Sequence, residues 1–143
     1  MTEVTGIDHI YIAASDMSRS EIFYDRVLLA TLGFCKNRFK LCGEPHIQYY
    51  NRHFGYVLRP SGIKAIPDAL SPGLHHLCFR VDTPKDVVVV ATRLRKAGIA
   101  ATDAKRYPIY APDYWATYFT DPDGIRLEVT NYRQERRERH DNW

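Results

Sequence analysis

Two stretches far apart in this chain follow one pattern: Gly6-Ile7-Asp8-His9-Ile10-Tyr11-Ile12 and Gly73-Leu74-His75-His76-Leu77-Cys78-Phe79-Arg80-Val81. Both read Gly, then Ile or Leu, then any residue, then His, then Ile or Leu. Side chains alternate across a strand, so each stretch predicts a strand with two unlike faces. Leu77, Phe79 and Val81 make an apolar face, and His76, Cys78 and Arg80 a polar one. Ile10 and Ile12 match Leu77 and Phe79, and His9 matches His76. A repeat of this kind restricts the chain to two copies of one module, and a histidine kept at the same place in both suggests a shared task.

The segments after each strand extend the repeat. Ser18 opens a predicted helix with Glu21 as capping-box partner. Ile22, Phe23, Val27, Leu28 and Ala30 form its apolar stripe, and Gly33 closes it. Strands are expected over 34–41, 46–50 and 54–59, with turns at Gly43-Glu44-Pro45 and Asn51-Arg52-His53. Residues 60–72, rich in Pro and Gly, read as a linker. In the second copy Val87-Val88-Val89-Val90 has strand propensity. Thr83-Pro84 is nevertheless an N-cap and first-turn proline, and Val87, Val90, Ala91 and Leu94 recur at helical spacing, so a helix is predicted. Strands follow over 101–107, 114–120 and 125–130, the last two joined by the tight turn Asp121-Pro122-Asp123-Gly124. The expected fold is α+β: two paired βαβββ modules, about 6–59 and 73–130, in one domain, whose polar sheet faces line a shared metal and substrate cavity.

The 143 residues suit a single domain with a core of its own. Net charge is only +3, and much of the basic excess falls in the tail, where Arg133, Arg136, Arg137 and Arg139 alternate with Glu135 and Glu138. Mixed signs point to a solvated helix end or frayed tail, so no nucleic-acid partner is expected. There is no long apolar run or signal-peptide pattern, and hence no expected membrane partner. Cys35, Cys42 and Cys78 are odd in number and form no Cys-x-x-Cys, which fits reduced thiols and a cytoplasmic protein.

In the last predicted strand Ile125, Leu127 and Val129 alternate with Arg126, Glu128 and Thr130. His9, His76 and Glu128 therefore all fall on polar strand faces. Singly, a strand histidine is more often structural and such a Glu more often solvated; the repeated histidine is what sets these apart. Two imidazoles and a carboxylate leave open positions on a divalent ion for water or a substrate oxygen. Fe, Mn, Zn and Ni are not distinguished by such ligands. His75, aligned with Asp8 on the opposite face, is expected to be structural, and His46 and His53 to face solvent.

From Gly6 to about Tyr132 the chain resembles the glyoxalase/bleomycin-resistance/extradiol-dioxygenase superfamily, the vicinal oxygen chelate proteins. The resemblance is carried by Asp8-His9-Ile10, Ser20-Glu21-Ile22-Phe23-Tyr24, Leu32-Gly33-Phe34, His75-His76-Leu77-Cys78-Phe79 and Asp121-Pro122-Asp123-Gly124-Ile125-Arg126-Leu127-Glu128. It implies a divalent metal ion on His9, His76 and Glu128, a small-molecule substrate and a homodimer. Glyoxalase I-like members add a fourth ligand, Glu or Gln, on the last strand of the first module; counting back from Pro60 puts that place near Tyr56, where neither stands. Extradiol dioxygenases use three ligands and a Tyr before the Asp-Pro turn, a spacing that Tyr118 has. They also have a His shortly before it, where this chain reads Tyr110-Ala111-Pro112-Asp113-Tyr114, making Tyr110, Asp113 or Tyr114 the substitutes. Tyr118 and Tyr110 are the candidate catalytic residues. The expected activity is metal-dependent lyase or isomerase chemistry on a substrate chelating through two neighbouring oxygens, with extradiol ring cleavage and metal-free drug sequestration as alternatives.

Overall fold

The computed structural model describes residues 2–64, 68 and 70–140. Residues 65–67 and 69 of the expected linker and 141–143 of the tail lie outside the described residues. The chain divides into two compact units, Met1–Ile66 and Pro67–Trp143.

Unit one runs β1 (His9–Ala14), α1 (Met17–Tyr24) continuing into a π-helical stretch (Asp25–Thr31), β2 (Cys35–Leu41), β3 (Glu44–Tyr50) and β4 (Gly55–Pro60). Unit two runs β5 (Leu77–Val81), α2 (Pro84–Lys96), β6 (Lys105–Arg106), β7 (Trp115–Thr120), β8 (Arg126–Asn131) and α3 (Gln134–His140). The sheets have orders β1-β4-β3-β2 and β5-β8-β7-β6. In each, the first strand pairs in parallel with the last and the other pairs are antiparallel. The fold is thus α+β, built from two four-stranded mixed sheets with one connectivity. Among the described residues no helix is long and apolar enough to cross a membrane.

In unit two, α2 packs on β7 and β8. Thr83 and Asp86 form a reciprocal capping box: the Asp86 N–H donates to Thr83 Oγ1 at 3.2 Å, and the Thr83 N–H to Asp86 Oδ2 at 2.9 Å. Val87, Val90, Ala91 and Leu94 are buried on its inner face. That burial outweighs the strand propensity of the valine run.

Unit one departs more from the expected pattern. The helix cap is Asp16, which accepts from the Arg19 N–H at 2.9 Å, and not Ser18. Glu21 accepts from Lys36 at 2.5 Å and also binds Arg38, so it serves the sheet rather than a capping box. The buried face is not the predicted stripe: Ser20 and Tyr24 of α1 and Val27, Leu28 and Thr31 of the π-helical stretch are buried, whereas Ile22 is 57% exposed. Three tyrosines fill the core beneath them. Tyr56 donates to the Tyr24 hydroxyl at 2.8 Å and Tyr49 to Asp25 Oδ1 at 2.7 Å, partners that buried phenols need. Desolvation and then the Asp25 hydrogen bond push the Tyr49 pKa well above the ordinary phenol value.

Three further differences have local causes. The first strands begin at His9 and Leu77 rather than at the preceding glycines. The strand expected over 101–107 shrinks to Lys105–Arg106, because Thr102 inserts its side chain into the ladder: Oγ1 accepts from the Tyr118 N–H at 2.9 Å. His46 is buried, not solvent-facing, with its ring stacked on Phe39 at 4.9 Å.

Burial separates two apolar positions that sequence patterning treats alike. Leu94→Ala should cost about 2–5 kcal/mol in urea unfolding. Ile22→Ala should stay within about 0.5 kcal/mol, as an exposed site does.

Candidate functional site

His9 is the first residue of β1 and His76 immediately precedes β5, and in both the preceding residue lies against Nδ1. His9 Nδ1 lies 2.6 Å from Asp8 Oδ1. His76 Nδ1 lies 2.8 Å from His75 Nδ1, one of the two nitrogens carrying the shared proton. A partner at Nδ1 fixes the ring orientation and leaves Nε2 on the far side of the ring. His75 is thus in direct contact with His76, a role that assigning it to the opposite strand face had not suggested.

In unit two, β8 is central and pairs with β5 on one side and β7 on the other. The register sets Glu128 directly across from Cys78 and from Tyr118. Glu128 is 2% exposed, and a buried carboxylate is costly unless both oxygens find partners. Oε1 accepts the Tyr114 hydroxyl at 2.5 Å. Oε2 lies 3.2 Å from His76 Nε2. The structure therefore brings His76 and Glu128 together, while His9 belongs to unit one. Among the described residues no three His, Cys, Asp or Glu side chains converge tightly enough to hold a metal ion. The Nε2–Oε2 pair is a mixed nitrogen and oxygen donor set of the kind borderline divalent cations take.

Around the carboxylate stands a cluster of phenols. Tyr118 packs edge-on against Tyr107 at 5.6 Å between ring centroids; Tyr110 stacks on Tyr107 at 5.9 Å and meets Tyr114 edge-on at 5.3 Å. Tyr110 is 61% exposed, and it is Tyr114, not Tyr110, whose hydroxyl reaches Glu128. Desolvation, reinforced by the Glu128 charge, holds the Tyr114 and Tyr118 pKa values above the ordinary phenol range, and does the same to the Cys78 thiol. All three stay protonated donors at neutral pH. Tyr114 was one of three substitutes weighed from the sequence; Cys78 could have been found by aligning it with Glu128 across the sheet.

The matching row in unit one is Tyr11, Val57 and Gln48. Val57 therefore occupies the position equivalent to Glu128, one residue beyond the Tyr56 reached by counting. Tyr56 points into the core. Neither position offers a carboxylate or amide, so this strand supplies no fourth ligand. Unit one also holds a cavity of about 610 Å³ lined by His9, Gln48, Arg52, Gly55 and Val57 among others. Gly55 keeps it open: a Cβ there would lie 3.2 Å from Gln48 Nε2 and 3.5 Å from His9 Cβ.

Comparison with known proteins gives a consistent picture. The model of the Glyoxalase/Bleomycin resistance protein/Dioxygenase superfamily matches residues 6–129. A Salmonella typhimurium relative described as virulence protein STM3117 is 29% identical over 132 residues, covering 90% of this chain and 85% of its own. A glyoxylase/bleomycin resistance protein/dioxygenase domain from Frankia superposes with a TM-score of 0.73 at 27% identity, covering 92% of this chain and all of the other. Lactoylglutathione lyase from Agrobacterium tumefaciens superposes at 0.67 with 23% identity, over 91% and 96% of the two chains. The Listeria monocytogenes fosfomycin resistance protein FosX also gives 0.67, at 12% identity over 94% and 99%. The last two likenesses concern fold alone.

The raised phenol pKa values set a pH dependence. Folding favours the protonated phenols, so this stabilisation is complete below the unfolded tyrosine value of about 10 and is lost as pH climbs towards the folded values. Denaturant unfolding should show stability falling above that pH, and Tyr114→Phe should make the fall shallower. At neutral pH the same substitution, leaving Glu128 Oε1 without its donor, should cost about 1–3 kcal/mol.

Proposed function

The chain belongs to the glyoxalase/bleomycin resistance protein/dioxygenase superfamily, and from that premise we propose that it is a divalent-metal-dependent enzyme. Members of this superfamily commonly use a divalent metal and act on small molecules. The proposed ligands are His9, His76 and Glu128, and the proposed chemistry is of lyase or isomerase type. A substrate would chelate such an ion through two neighbouring oxygens. The observation that carries the reading is the 3.2 Å approach of His76 Nε2 to a Glu128 carboxylate that is almost fully buried. A buried carboxylate beside an imidazole, each fixed from behind by another side chain, suits a metal donor better than a surface ion pair.

A divalent ion held there would polarise the chelating oxygens and stabilise the anion that develops. Tyr114 holds Glu128 Oε1 and leaves Oε2 for the ion. His75 and Asp8 orient the two imidazoles in the same way. Tyr118, across the strand from Glu128, holds its proton and donates a hydrogen bond to a substrate oxygen. Tyr110, more exposed and packed on Tyr107 and Tyr114, lines the approach.

Extradiol ring cleavage is the second reading, and Val57 favours it. An aliphatic residue where a fourth ligand would stand fits a three-ligand set, as the extradiol reading requires. The lack of a histidine before Tyr118 counts the other way.

Elemental analysis of protein reconstituted with Fe(II), Mn(II), Zn(II) or Ni(II) should find one ion per chain. His76→Ala and Glu128→Gln should each weaken retention by more than about tenfold, since removing even a ligand's supporting partner has effects of that order. Retention unchanged in both variants would overturn the ligand assignment. With the loaded protein, turnover of 2-oxoaldehyde–thiol adducts supports the first reading. Oxygen uptake with catechols on Fe(II), abolished by Tyr118→Phe, would put the second reading ahead.

A further inference from the structure

The basic C-terminal segment, which charge alone assigns to solvent, is tied into unit two over residues 132–137. On one side Tyr132 donates its N–H to the Val81 carbonyl at 2.7 Å, continuing the chain beside β5. Its ring is sandwiched by Arg80 at 4.1 Å and Arg137 at 3.9 Å from the centroid. Arg137 also donates to the Asp82 carbonyl at 3.2 Å. On the other side Asp113 Oδ2 accepts from the Gln134 N–H at 3.0 Å, and the Arg133 guanidinium lies over the Tyr114 ring at 4.9 Å. Arg133 is half-buried and has no carboxylate partner among the described residues.

These contacts converge on one side chain. Asp113 and Tyr114 are adjacent at the end of the loop that enters β7, and both are held by the start of α3. The Tyr114 hydroxyl is in turn the donor to Glu128 Oε1. A phenol on a loop aims its hydroxyl only as well as its ring is fixed. A guanidinium on the ring face fixes the ring without competing for the hydroxyl. We propose that α3 is a latch that positions Tyr114 on the Glu128 carboxylate, with Arg133 and Asp113 as the positioning residues. The proposal rests on the reading of Glu128 as a metal ligand for its functional consequence, but not for its structural part.

Two readouts on the full-length chain test it. The first needs no metal: amide hydrogen exchange across residues 107–118. Arg133→Met should speed exchange around Tyr114 by about fivefold, the equivalent of one cation–π contact, while Arg133→Lys should hold near the wild type. Asp113→Ala should speed it similarly. The second is Co(II) affinity, which should fall about tenfold in Arg133→Met and recover in Arg133→Lys. Exchange unchanged in both Arg133→Met and Asp113→Ala would overturn the latch. Normal Co(II) affinity in Arg133→Met with faster exchange would overturn its link to Glu128. A wild type that binds no Co(II) would overturn the metal reading, leaving the exchange result to decide the latch alone.

Discussion

A carboxylate withdrawn from water in the middle of a sheet sets the terms for unit two. Stranding an ionised Glu in a protein interior costs several kcal/mol even after relaxation, roughly the scale of a small domain's whole stability. Glu128 meets that cost with a phenol on one oxygen and an imidazole beside the other. Most other features of the region serve this arrangement. The parallel β5–β8 pairing brings the His76 end of β5 towards Glu128, the phenol cluster shields the carboxylate, and the tail braces the loop that carries Tyr114.

The duplicated module makes the contrast with unit one informative. The same strand order and pairing produce a row of Tyr11, Val57 and Gln48 in place of Cys78, Glu128 and Tyr118. One copy therefore carries the buried charge and the other an aliphatic residue. Unit one places its polar groups elsewhere: Glu21, Asp25 and Lys36 form an ion-paired cluster on the helix side, with Tyr49 bonded to Asp25. Its sheet face keeps His9 and a cavity opened by Gly55. Duplication has thus preserved the scaffold and the histidine while the remaining chemistry diverged, as expected when function resides in side chains grafted on a shared fold.

Much of this was legible in the sequence because it follows from period-two and period-3.6 patterns. The paired modules, α2 with its cap, and the tight turn at Asp121-Gly124 all come from local signals. What was not legible depends on backbone register or on distant contacts. Hydropathy alone points Ile22 inward and passes over Tyr24, whose hydroxyl is accommodated in the core by its hydrogen bond with Tyr56. A one-residue error in counting reached Tyr56 instead of Val57, since a slip of one exchanges the two faces of a strand. Thr102 shortened β6 through a side-chain hydrogen bond that propensity does not register. In the candidate site, His76 and Glu128 could be chosen from the repeat, but Tyr114 and its bracing by Arg133 depend on a loop path that only the structure defines.

In the proposed function both repeated histidines and Glu128 hold one ion. X-ray absorption spectroscopy on the Co(II)-loaded protein tests it most directly, because imidazole rings give countable outer-shell scattering. The proposed ligand set predicts two imidazoles and oxygen donors around each ion, with one imidazole lost in His9→Ala and the other in His76→Ala. A shell containing a single imidazole, unchanged by His9→Ala, would contradict it.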